Sequence, residues 1–254
     1  MDEIYRNSWD PELGRHRSSM VFRGLPCAGL GLVTSLMRLA QQRPTVERIE
    51  RHLIRNFQKY AASEMGHTRS VWSWLAVAAH HGLPTRLLDW TFSPLVALHF
   101  VTADPRLYHH DGALWCVNHK ETNGHLPERL REELESAGSA VFSVPMLESA
   151  VESLETLRAM AADDFVVFLE PPSLDARIVN QFALFSLMSG PELELDVWLS
   201  AKTTGTRKLI VPAGLKWEIR DKLDQAGITE RMLFPGLDGL AAWLTRYYAP
   251  RGVA

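Results

Sequence analysis

Between Trp72 and Phe100 the chain is written almost throughout for burial, and its main exceptions are His80, His81, Thr85, Arg86, Asp89, Thr91 and Ser93. A buried segment holds such groups only where each finds a hydrogen-bond partner or a ligand, so their concentration marks a candidate site. Outside the block, Arg23 sits on a short apolar stretch, Met20 to Leu25, as either a snorkelling edge residue or a ligand for a buried anion. Asp89 with His81 has the composition of a hydrolase acid–base pair, but no nucleophile motif accompanies it. Asp89 equally suits a structural pair with Arg86 or Arg23. His80 and His81 precede Gly82 and read either as orienting groups or as the cap and core of a helix end. His109, His110 and Asp111 lie beside Gly112, where turns accumulate polar residues, and no metal is expected there.

These groups need positioning elements. The block predicts an apolar helix ending at Gly82, a strand from Leu83 to Trp90, and a second helix whose first turn is set by Ser93 and Pro94. Ser18 to Leu25 predicts a strand with Met20 and Phe22 on one face and Val21 and Arg23 on the other. Helices are expected over Gly29–Leu39 and from Pro44 and Thr45 onward. In the latter, Val46, Ile49, Leu53, Phe57 and Tyr60 form the apolar stripe, with Glu47, Arg48, Glu50, Arg51, Arg55 and Lys59 on a solvated face. A polar loop follows around Gly66.

Further strands are expected over Gly112–Asn118, Phe165–Leu169, within Leu174–Met188, and over Leu209–Val211. Helices are expected over Leu126–Ser136, Val144–Ala162, Ala213–Gln225 and Leu240–Tyr248, with Asp238 as an N-cap. The helices between 120 and 163 read as an acidic insertion packed outside the sheet. Short strands separated by helices and uneven loops give an α+β class with a compact mixed sheet, a helical segment over about 29–82 and the insertion over about 120–163. Residues 1–17 read as an arm anchored by Trp9, and 18–254 as one domain.

The 254 residues carry a net charge of -3, which gives no global attraction to nucleic acid or anionic membrane. Cys27 and Cys116 are far apart in sequence and read as reduced core thiols. No apolar run approaches the roughly 20 residues of a membrane helix, and the N-terminus has no signal-peptide pattern, so a cytoplasmic location and no membrane partner are expected.

Several motifs, taken in order, resemble the FRG domain family: Phe22-Arg23-Gly24, the block from His80 to Thr91 with Ser93-Pro94-Leu95 and Ala97, Arg177-Ile178 with Gln181, and Ile228 with Leu233-Phe234-Pro235 and Leu237-Asp238-Gly239-Leu240. More distantly, Phe22-Arg23-Gly24 and Thr91-Phe92-Ser93, followed by Ala97 and Phe100, resemble the first two motifs of the Arg-Ser-Glu type of ADP-ribosyltransferase. That resemblance implies an ADP-ribosyltransferase-like fold and an enzyme that consumes NAD to modify a macromolecule, as a toxin or phage-defence effector. In it, Arg23 holds the ribose and phosphates, the backbone of Gly24 binds the carboxamide, and Thr85, Thr91 and Ser93 line the ribose pocket. His81 and Arg86 complete the NAD-binding set.

The third motif departs from the pattern. The aligned position is Gln181, read as lying on the strand after Arg177-Ile178, and an amide offers no negative charge to an oxocarbenium-like transition state. Losing that charge costs a few kcal/mol of transition-state stabilisation, or several powers of ten in rate. Asp89 or Glu194 is left to substitute. The alternative is a non-catalytic module that holds a nucleotide or nucleic acid in the same cleft, aided by the basic face from Arg43 to Lys59. The macromolecular acceptor is not legible in either reading.

Overall fold

The computed structural model of the chain describes residues 8–11, 13–40, 45–63, 70–173 and 175–251. Pro44, Arg43, Gly66 and Leu174 therefore lie outside the described residues, as does part of the N-terminal arm. Two short strands, β1 (Trp9–Asp10) and β2 (Arg15–His16), pair as a separate hairpin. Trp9 does not anchor it into the core: its ring is 57% exposed and meets the edge of His16. Ser8 is the buried residue there, with its hydroxyl 2.9 Å from His16 Nδ1.

The remaining strands form one mixed sheet, confirming the α+β class. They are β3 (Met20–Leu25), β4 (Leu87–Thr91), β5 (Gly112–Asn118), β6 (Phe142–Ser143), β7 (Val166–Glu170), β8 (Ala183–Met188) and β9 (Arg207–Val211). Their spatial order is β6-β7-β8-β4-β3-β5-β9, antiparallel throughout except for β6 with β7. β3 lies along β5 in six register pairs and β4 along β8 in five. β3 and β4 share only Phe22 with Thr91. The sheet is thus two well-paired halves that part beyond a single bridge.

Helices cover the two halves separately. Over β4, β7 and β8 lie α2 (Val46–Ala61) and α3 (Val71–His80), together with α6 (Glu128–Ser136), α7 (Val144–Ala150) and α8 (Leu154–Ala159), burying Ile54, Trp72, Leu130, Leu147 and Leu157 against Leu87, Val167 and Phe185. Over β3, β5 and β9 lie α4 (Pro94–Val101) and α11 (Lys216–Gln225), packing Ala97, Val101 and Leu223 on Phe22, Leu114 and Val211. The opposite sheet face is continuous across the parting, with Val21, Leu88, Trp90, Trp115 and Leu184 meeting Leu195 and Trp198 of α10 (Leu195–Lys202).

The sequence and the structure differ where local pattern competes with packing. α1 (Ser35–Ala40) begins six residues later than expected, because the Thr34 hydroxyl accepts from Met37 N and starts the helix there rather than at Gly29. On α2, Glu50 belongs to the buried face and Tyr60 is 76% exposed, the reverse of their assignment by residue type. The strand expected from Leu83 begins at Leu87, since Pro84, Thr85 and Arg86 lead in as loop. Val144–Ala162 is two helices, broken where Val151 turns extended and Ser153 caps α8. The insertion is not outside the sheet: its leucines build one core, and β6 adds an edge strand.

A short α9 (Ala176–Asn180) precedes β8, and α5 (His119–Asn123), α10 and α12 (Glu230–Leu233) are additions to the elements expected. α13 (Leu237–Tyr248) starts with Gly236 in the N-cap position, so Asp238 lies in the first turn instead of capping it. Cys116 is buried and burial pushes its thiol up to about 11, while Cys27 is half-buried; both are free. Among the described residues, no helix is long and apolar enough to cross a membrane.

Candidate functional site: a cation-lined cleft at the parted strands

Where β3 and β4 part, a cleft of about 680 Å³ opens, within the size range of sites for small molecules. Both halves of the molecule contribute to it. Arg23 and Gly24 come from β3, Asp89 and Thr91 from β4, His80 and His81 from the end of α3, and Arg177 and Gln181 from around α9. Arg23 and Gln181 therefore do line one cleft.

Arg23 bridges the parting. Its Nη1 donates to the Asp89 carbonyl at 2.5 Å and lies 3.8 Å from Asp89 Oδ2, while its Nε is buried with no partner. Burial lowers its pKa and the Asp89 carboxylate offsets part of that, leaving a guanidinium that keeps its charge. The Asp89 side chain is 78% exposed, so this carboxylate stands in the cleft and is not consumed in the core. Gly24 is required by packing: a Cβ there would sit 1.9 Å from the Ala97 carbonyl of α4, which crosses β3 at this point.

The hydroxyls are largely engaged inside the protein. Thr91 Oγ1 donates to the Gln181 carbonyl at 2.7 Å and accepts from Ser93 N at 3.0 Å. Ser93 caps α4 by accepting from Val96 N and does not line the cleft. Thr85 borders the cleft, but its Oγ1 accepts from Leu87 N at 3.2 Å. Arg86 points elsewhere. It is 3% exposed, forks onto the Glu50 carboxylate, and donates to the Ser189 carbonyl at 2.7 Å.

At the other wall, His80 Nε2 lies 2.6 Å from Asp175 Oδ2, and Asp175 caps α9 through Ile178 N. This pair joins the end of one helix to the start of another, with Gly82 at φ +81° closing α3. His81 is exposed and meets the edge of the His80 ring. Gln181 lies in the turn after α9, not on a strand, and its Nε2 donates to the Leu233 carbonyl at 3.0 Å. Asn180 binds the Met232 carbonyl in parallel at 2.7 Å, and the Arg177 guanidinium stacks 5.1 Å above Phe234. The Leu233-Phe234 segment thus holds the wall of the cleft from behind. Glu194 lies in a different surface depression.

Sequence reasoning passed over one cleft cation, Arg38 of α1, and gave the other, Arg177, only as part of a motif without a role. An arginine between apolar neighbours on a helix of five or six residues has no periodicity to distinguish it. With Arg23 they place three permanent positive charges around the exposed carboxylate of Asp89, and the two histidines lie alongside. That balance suits an anion bearing more than one negative charge.

The fold and cleft define an α+β protein whose mixed sheet is parted by a cation-lined cleft. The family model of the FRG domain matches residues 18–110 of the chain. The match takes in Arg23, Gly24, His81 and Asp89, while Arg177 and Gln181 come from the chain beyond it. No curated protein and no solved structure matches the chain.

Proposed function

We propose that the cleft binds NAD and that the chain is an ADP-ribosyltransferase acting on a macromolecular target, as a toxin or phage-defence effector. The observation that carries this reading is the placement of Arg23 and Gln181 on one cleft across the parted strands, with Arg23 Nε buried and unpartnered. A diphosphate supplies acceptors to that guanidinium, and Arg38 and Arg177 add charge for the second phosphate. Thr85, Thr91, His81 and the Gly24 backbone border the remaining length for the ribose and nicotinamide.

Asp89 takes the role that a late glutamate would otherwise fill. The bond between nicotinamide and ribose breaks with its electron pair leaving on the nicotinamide nitrogen. The Asp89 carboxylate stabilises the cationic ribose and accepts the proton of the acceptor nucleophile as that group bonds to ribose C1′. Gln181 contributes its backbone carbonyl to Thr91 and its side-chain amide to Leu233, a positioning role.

The second reading is an NAD-binding module without turnover, favoured by the engagement of the Gln181 amide and the absence of a carboxylate there. Titration calorimetry with NAD and release of nicotinamide by the purified chain separate the two. Arg23→Ala is expected to weaken NAD binding at least tenfold, and Asp89→Asn to abolish nicotinamide release while NAD still binds. Binding without release in the unaltered chain selects the module, and no binding at all rejects both readings.

A further inference from the structure

The outer face of α2 carries a line of cations that the cleft does not use. Arg48, Arg51, His52, Arg55 and Lys59 are all exposed, and at about 100° per residue they fall within an arc of roughly 100° opposite the buried Val46, Glu50 and Ile54. Both acids of the helix are committed elsewhere: Glu47 pairs with Arg158, and Glu50 with Arg86. Among the described residues, Arg48, Arg51, Arg55 and Lys59 form no ion pair. Arg51 with Arg55 and Arg55 with Lys59 are like-charge neighbours four residues apart, an arrangement that disfavours the isolated helix. A chain of net charge -3 therefore concentrates positive charge on one helix face, of which, among the described residues, only Arg51 borders a depression that also holds carboxylates, Glu47, Glu50 and Glu155.

We infer that this face is a docking ridge for the phosphate backbone of a nucleic-acid strand. From Arg48 to Lys59 the ridge runs about 16 Å at 1.5 Å per residue, a length over which one strand presents about five charges at roughly 3.4 Å each. Three of the cations are arginines, whose planar fork suits phosphate oxygens. Tyr60, 76% exposed with the Lys59 ammonium 5.2 Å from its ring centroid, offers a face on which a base can stack. A membrane surface fits less well, because the outward line holds Arg48, Arg51, His52, Arg55, Asn56 and Lys59 with no apolar side chain to insert. The inference stands whether or not the cleft binds NAD; where both hold, the strand is a candidate acceptor.

Fluorescence anisotropy of the full chain tests it, with labelled single-stranded RNA and DNA of about 12 nucleotides, the matching duplex, a polyglutamate peptide, and vesicles containing anionic lipid. Binding of the single strands is expected to fall with a log–log salt slope of about -3, from four cations at about 0.7 each. Arg51→Glu with Arg55→Glu is expected to weaken it at least tenfold with little change in melting temperature, because both side chains are exposed and the like-charge pair between them is exchanged for one of the opposite sign. Arg48→Gln with Lys59→Gln gives a smaller loss, and Tyr60→Ala weakens binding with an unaltered salt slope. The inference is overturned if no single strand binds, if the charge-reversed chain binds as well as the original, or if polyglutamate or vesicles bind as tightly. NAD binding is measured on the same variants and is expected to persist, so failure of the cleft reading is seen separately.

Discussion

Gly24 has no room for a side chain, and the reason is the helix behind it rather than a ligand in front. A Cβ would meet the Ala97 carbonyl at 1.9 Å and Val101 at 3.0 Å. Gly24→Ala must push α4 off β3, and the expected loss is about 3 kcal/mol in urea unfolding, at the upper end of overpacking costs. Ser93→Ala makes the contrasting case: it removes the hydroxyl that caps α4, with an expected loss of about 1 kcal/mol and no change in NAD affinity. An affinity change there in the folded protein would return Ser93 to the cleft. Polar residues set in an apolar block were legible as special, and His81, Asp89, Thr85 and Thr91 do border one cleft. What the sequence could not separate was ligand-facing from internally satisfied groups. Arg86 and Ser93 carry the same signature as Asp89, and only the fold reveals that their partners are Glu50 and a backbone N–H.

At the scale of elements, α2 is locked to the sheet by one buried ion pair. Arg86 precedes β4, and its side chain and that of Glu50 are 4% and 2% exposed; the guanidinium also reaches the end of β8 through the Ser189 carbonyl. Glu50→Ala leaves that guanidinium buried without a counter-charge, at an expected cost of about 3–5 kcal/mol, whereas Glu50→Met with Arg86→Met should recover most of the loss. Chemical unfolding of the single and double variants measures both; a single variant as stable as the parent would show that the pair does not hold the helix. Periodicity missed this pair because it sorts residues by type, and a glutamate four residues from Val46 and Ile54 reads as solvent-facing whatever its partner. The same reasoning placed β5, α3, α4 and β7 nearly as they stand, where apolar runs end at Gly82, Ser93 or Pro171. It failed at Val144–Ala162, where a cap at Ser153 outweighs a continuous apolar stripe, and at α12, too short to carry a period.

Across the whole molecule, two buried histidines tie stability to pH. His99 is 1% exposed on α4 and held down to about 4, first by desolvation and then by Arg220, whose Nη1 donates to its Nδ1 at 2.7 Å. Glu230 and Asp224 act the other way but are taken up by Arg246, which binds both and so joins α11, α12 and α13 around the histidine. His119 is also held at about 4 by desolvation, its ring set between Phe92 and Phe168 with Nδ1 unpartnered. Each histidine binds its proton more readily in the unfolded chain, where the pKa is near 6.5, so the stability of the neutral form is fully present above that pH and is lost as pH falls toward 4. By pH 5 the expected loss is roughly 2 kcal/mol for each group. The lowered carboxyls of Glu230 and Asp175 add a loss of the same sign, but only nearer their own range, so the interval between pH 7 and pH 5 isolates the histidines. Urea midpoints across that interval should fall steeply for the parent and about half as steeply for His119→Leu. A parent curve flat from pH 7 to pH 5 would mean that both imidazoles reach protons in the folded state, and that the charged network around His99 opens far more easily than its burial implies.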